Sequence, residues 1–125
     1  MHAIDTLYQE HLAGRQIPSR DLLEQHTCRI THANLARTIA GRLACALPNA
    51  EAFDYLRRHL RAPLLAVAAG TGFWAHCLHQ VEGIKTLATD LFAPEDNPRF
   101  RRSSWYPVQP MDALEALRRT NYMQL

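Results

Sequence analysis

LLAVAAGTGFWAHCLHQ, residues 64–80, sets an apolar run, a Gly-Thr-Gly turn and an amphipathic stretch one after another. An apolar run this short, bounded by Ala62-Pro63 on one side and glycine on the other, reads as a strand buried on both faces, as in a parallel sheet. Beyond the turn, Phe73, Trp74, Cys77, Leu78 and Val81 recur at helical spacing up to Gly83, whose tolerance of positive φ suits a helix end. The stretch is therefore strand, turn and helix. Three uses of the turn compete: a phosphate or nucleotide cradle, a cofactor pocket of another kind, or a plain connection. A P-loop is excluded, because no Gly-Lys-Ser/Thr follows the glycines.

Downstream, IKTLATD (84–90) is β-branched at Ile84, Thr86 and Thr89 and predicts a second strand ending in Asp90. LFAPEDNPRFRRSS (91–104) is a Pro-rich, charged connection, and WYPV (105–108) is a short strand candidate that its proline relegates to a sheet edge. Met111-Asp112 opens a last helix through Leu114, Leu117 and Arg118, and NYMQL (121–125) begins another strand. Strands and helices alternating in this way make a parallel βαβ sheet. In such a sheet ligands bind at the carboxyl ends of the strands, where strand order reverses. Three strand ends then share one rim: Gly70, Thr71 and Gly72; Asp90; and the region from Gln109 to Asp112.

Upstream the pattern is helical. Ile4, Leu7, Tyr8 and Leu12 mark a first helix that Gly14 stops, and Ser19 caps a second in which apolar residues keep helical spacing as far as Pro48, with a break near Thr31 or Gly41. Asn49 opens a third, Ala50 to Leu60, with Phe53, Leu56 and Leu60 on one face and Arg57, Arg58 and Arg61 on the other. The reading divides the chain into a helical N-terminal segment, 1–48, and a sheet-bearing region, 49–125.

The 125 residues fit one small domain, and 47% apolar with 21% charged residues is an ordinary globular balance. Net charge is +2, which argues against a nucleic-acid partner. The clusters Arg57, Arg58, Arg61 and Arg99, Arg101, Arg102 read as a solvated helix face and a basic loop. Cys28, Cys45 and Cys77 are odd in number and widely spaced, which points to a reducing compartment rather than a disulfide framework. No secretory signal or membrane-spanning run is present in the sequence, so the expected location is cytoplasmic. His76, Cys77 and His79, and His26-x-Cys28-x-x-x-His32, lack the paired spacing of a zinc site, and no metal is expected.

The rim residues narrow the ligand. A glycine turn admits close approach of a bound group, and an acid ending the second strand accepts hydrogen bonds from ribose hydroxyls; Asp90 lies 18 positions after Gly72, near the spacing such an acid takes. A GxGxxG pattern is met only imperfectly, with Ala75 at its last position. LLAVAAGTGFWAHCL, TLATDLFAPEDN and VQPMDAL, in that order, resemble the first motif, ribose-acid strand and adenine segment of class I S-adenosylmethionine-dependent methyltransferases, over roughly residues 50 to 125.

The resemblance implies an α/β fold: an incomplete Rossmann-like parallel sheet of about three to four strands flanked by helices, preceded by the helical N-terminal segment. It implies S-adenosylmethionine as cofactor, with Gly70, Thr71 and Gly72 around the methionine part, Asp90 at the ribose, Met111, Asp112 and Ala113 at the adenine, and Ala69, Trp74 and Leu91 also beside the cofactor. Ala66 and Ala68 stand where the family commonly has an acid and a first glycine. The family's sheet has seven strands, so the chain would hold the N-terminal half of the fold; the motif that positions the methyl acceptor has no counterpart, and no catalytic residue is assigned. The fourth strand would then offer an open edge to a second copy or another polypeptide.

Three functions follow from this: a methyltransferase-like binder of S-adenosylmethionine, a catalytically inactive relic acting as a protein interaction module, and a nucleotide-binding module of another class. Each site residue also has a purely structural reading. Asp90 can end a strand, Asp112 can favour a helix start, and Phe73 and Trp74 can fill core.

Overall fold

The computed structural model describes residues 3–27, 39–44, 46–60, 64–92, 104–119 and 123–124. In chain order these hold α1 (Ala3–Ala13), α2 (Arg20–Thr27), α3 (Ala50–His59), β1 (Leu64–Ala66), α4 (Phe73–Glu82), β2 (Thr86–Asp90), β3 (Val108–Pro110), α5 (Ala113–Arg119) and β4 (Met123–Gln124). Residues 39–42 add a further helical stretch. The second helix does not run to Pro48: the chain leaves helical geometry at Leu43, just after Gly41, and residues 28–38 lie outside the described ones.

The strands form one parallel sheet in the order β3-β2-β1-β4. Leu64, Leu65 and Ala66 pair with Thr86, Leu87 and Ala88; Ala88, Thr89 and Asp90 pair with Val108, Gln109 and Pro110. On the other side of β1, Leu64 and Leu65 pair with Met123 and Gln124. The chain thus steps outward from β1 through β2 to β3, then returns to the far side of β1. The reversal of strand order lies between β1 and β4, the place where open α/β sheets put their ligand crevice. The α/β class and the incomplete parallel sheet flanked by helices are as the sequence predicts.

Each boundary has a local cause. Strand β1 ends at Ala66 because Val67 and Ala68 bend, with Ala68 at φ 52, and Ala69 N–H turns across to Thr89 O at 2.9 Å. Strand β2 starts at Thr86, two residues later than IKTLATD suggests, because Ile84 belongs to the end of α4: Gly83 and Ile84 N–H groups close onto its last carbonyls. The third strand begins at Val108 rather than Trp105, since Trp105 N–H bonds Thr71 O at 2.9 Å instead of a ladder partner. Asn49 caps α3 through Ala52 N–H, and Asp112 caps α5 through Glu115 N–H.

The core is shared between the helical segment and the sheet. Tyr8, Phe53, Leu64, Phe73 and Leu78 lie within one cluster at 2% exposure or less. The Tyr8 ring stands edge-on to Phe73, with centroids 5.0 Å apart, and its hydroxyl donates to Pro48 O. Arg57 lies on the exposed face of α3, as read, and from there reaches Asp54 at 2.8 Å and Glu82 at 2.5 Å, linking α3 to α4. No described helix is long and apolar enough to cross a membrane.

Candidate functional site

The three strand ends named from the sequence do meet. Asp90, the last residue of β2, accepts the Gly70 N–H on Oδ2 at 2.8 Å and the Leu91 N–H on Oδ1 at 2.7 Å. Its own carbonyl accepts the Met111 N–H at 2.7 Å, so the chain leaving β3 is stitched to the end of β2. A carboxylate offers about four lone-pair positions, so a ligand hydroxyl could still be accepted beside these bonds. The side chain is half-buried, neighbouring the exposed Leu91.

The turn itself is occupied by the protein's own contacts. Thr71 is buried, and its hydroxyl donates to Leu43 O at 2.5 Å, away from any ligand role. Gly72 is the N-cap of α4 at φ 80, and a Cβ there would stand 2.8 Å from Tyr106 O and 2.9 Å from Tyr106 Cβ. The close approach that demands glycine at this position is therefore made by the β3 side of the fold. Trp74 donates its indole N–H to Ala46 O at 2.8 Å and tilts against Phe53 at 5.8 Å between centroids. Asp112 is exposed and spends Oδ1 on the cap of α5, and Ala113 begins that helix on an exposed face.

A cavity of about 300 Å³ opens beside the end of β1. Leu56 from α3, Val67, Ala68 and Ala69 from the turn, and Trp74 and Leu78 from α4 form most of its wall, which Ala66 and Ala75 complete. None of these residues carries a charge. Ala68, Ala69 and Trp74 thus border the cavity, whereas Asp90, Met111 and Asp112 sit along the rim beyond Gly70, outside its wall. Sequence reasoning left Tyr106 open between edge packing and a pocket wall and passed over this cavity; the structure packs Tyr106 against Gly72. The four alanines at 66, 68, 69 and 75 were the available signal, since small side chains around one turn leave volume unfilled.

The histidines fall elsewhere. His76 leans on the Trp105 ring at 5.5 Å, and burial, with His79 nearby, lowers its pKa below the ordinary imidazole value. Cys77 is buried in the core, and burial pushes its thiol pKa far up. Among the described residues no three metal-ligating side chains converge; Cys28, His32 and the cluster Arg99, Arg101, Arg102 lie outside them. Comparison with protein-family models, curated proteins and solved structures finds no match to this chain.

Proposed function

We propose that the chain is a methyltransferase-like binder of S-adenosylmethionine-class ligands, held through the adenosyl group along the ends of β1, β2 and β3. The observation that carries this reading is the hydrogen bond between Asp90 Oδ2 and Gly70 N–H, which brings an acid and a glycine turn together beside a reversal of strand order. Asp90 would accept the ribose hydroxyls, and the chain from Met111 to Ala113 would border the adenine. No general base is assigned, and proximity rather than proton transfer would dominate any methyl transfer here.

Isothermal titration of the full chain with S-adenosylmethionine and S-adenosylhomocysteine tests the reading. Saturable binding is expected, with Asp90→Ala weakening it by about tenfold or more, as loss of charge-assisted hydrogen bonds does. Asp90→Asn keeps an acceptor for Gly70 N–H and should fall between the two. No heat with these or with any other adenosyl ligand would overturn the proposal.

A second reading, an interaction module without a cofactor, is favoured by the contacts that fill the turn: Tyr106 against Gly72, and Leu43 O on the Thr71 hydroxyl. These satisfy the motif residues from within the protein. Binding of neither adenosyl ligand nor a nicotinamide dinucleotide would select this reading, and dinucleotide binding alone would select the other nucleotide class.

A further inference from the structure

The order of strands assigns a direction to an adenosyl ligand. With the adenine bordered by the chain after β3 and the ribose at Asp90 on β2, the substituent on the ribose's exocyclic carbon extends toward β1. At the end of β1 lies the cavity between α3 and α4, joined to the rim through Ala69, the neighbour of Gly70.

The cavity wall is chemically one-sided. Its largest side chains are Leu56, Val67, Trp74 and Leu78, and the Trp74 N–H, the polar atom of that ring, is already donated to Ala46 O. Ala66, which completes the wall, offers a methyl group and no carboxylate to an ammonium. Trp74 and Ala75 belong to the first turn of α4, whose cap, Gly72, brings no side-chain acceptor to this region. An ammonium or a sulfonium entering here would lose water and meet no opposite charge among the side chains of the wall. An alkyl thioether would lose nothing comparable and would cover the leucines and the indole.

We infer that this cavity is the subsite for the ligand's exocyclic substituent and that it selects an uncharged alkyl thioether, the methylthioadenosine class, over the charged amino-acid chain of S-adenosylmethionine. The inference rests on the adenosyl reading and narrows its ligand.

Titrating the full chain with methylthioadenosine, adenosine, S-adenosylhomocysteine and S-adenosylmethionine tests both at once. Methylthioadenosine should bind about tenfold or more tighter than S-adenosylhomocysteine, with the sulfonium weaker again, because a desolvated unpaired charge opposes each of the latter two. Adenosine should be weaker than methylthioadenosine, having nothing to place in the cavity. Ala66→Asp should shift the preference back toward the amino-acid-bearing ligands. Where that variant does not fold, the wild-type ranking decides alone. Binding of either amino-acid-bearing ligand as tightly as methylthioadenosine, or of adenosine equally well, overturns the subsite while leaving the adenosyl reading standing. Silence from all four ligands overturns both.

Discussion

Gly72 shows how a motif residue can be required by packing. Its φ of 80 lies in the left-handed region, and Tyr106 O would sit 2.8 Å from an added Cβ, with Val108 Cγ2 at 3.1 Å. Gly83 ends the same helix at φ 67 with nothing within 4 Å of such a Cβ. Alanine at Gly83 meets only the backbone penalty, about 1 kcal/mol. Alanine at Gly72 meets that penalty and a backbone collision, so Gly72→Ala should lower stability by about 3 kcal/mol. Urea unfolding of the two variants checks the difference; equal losses would show that the β3 side yields and that Gly72 is free for a ligand. Ala68 bears a left-handed φ of 52 with its methyl in place. The turn therefore holds a left-handed alanine at the cavity and two left-handed glycines, Gly70 at φ 59 and Gly72 at φ 80, of which Gly72 is also required by its contact with the β3 side.

Among the elements, α4 joins the turn, the core and the titrating surface. Phe73, Ala75, Cys77 and Leu78 are buried along it, and the intervening His76 lies half-buried against Trp105, whose ring also has the Arg42 guanidinium 5.9 Å from its centroid. Burial and the neighbouring His79 both disfavour protonated His76, so its native pKa is lowered. In the unfolded chain the imidazole binds its proton at higher pH, and between the two values the unfolded state holds more protons. Stability contributed by the neutral ring is present above the ordinary imidazole range and is lost as pH falls through that range and the lowered native value. The urea midpoint should therefore decline from about pH 7 toward pH 5, the interval in which an imidazole changes charge. His76→Asn should flatten that slope. Glu51 has a different window: its carboxylate accepts the Arg20 N–H, which lowers its pKa, so its share persists through the imidazole range and is lost only in acid. A slope unchanged in His76→Asn would place the pH dependence elsewhere.

For the molecule as a whole, the sheet was legible because β1 and β2 are apolar or β-branched runs and because Gly83 and Asn49 mark helix ends with residues of one conformational meaning. The rim was legible at Asp90 for the same reason: an acid ending a strand has few other places to be. What stayed hidden depended on contacts far apart in sequence. Leu43 O reaches Thr71, Ala46 O reaches Trp74 and Arg42 O reaches Trp105, and no local pattern announces a carbonyl that leaves a helix to meet an indole. Those bonds fasten Arg42, Leu43 and Ala46 to the sheet-bearing region, beside the core that Tyr8, Phe53 and Phe73 share and the ion pair of the buried Asp5 with Arg42. A helical segment tied in this way should not unfold by itself. Trp74 donates to Ala46 O and Trp105 to Arg42 O, so their fluorescence reports the attachment of these residues, while far-UV circular dichroism reports the helices and sheet together. The two signals should share one urea midpoint. Tyr8→Phe retains the ring against Phe73 and removes the hydroxyl from the buried Pro48 carbonyl, so it should lower stability by about 1–3 kcal/mol. Both signals should move together in that variant, as a single cooperative unit requires. A fluorescence transition that precedes the dichroism transition, or that alone shifts in Tyr8→Phe, would mean that the helical segment detaches first and that the shared core does not bind the two regions into one unit.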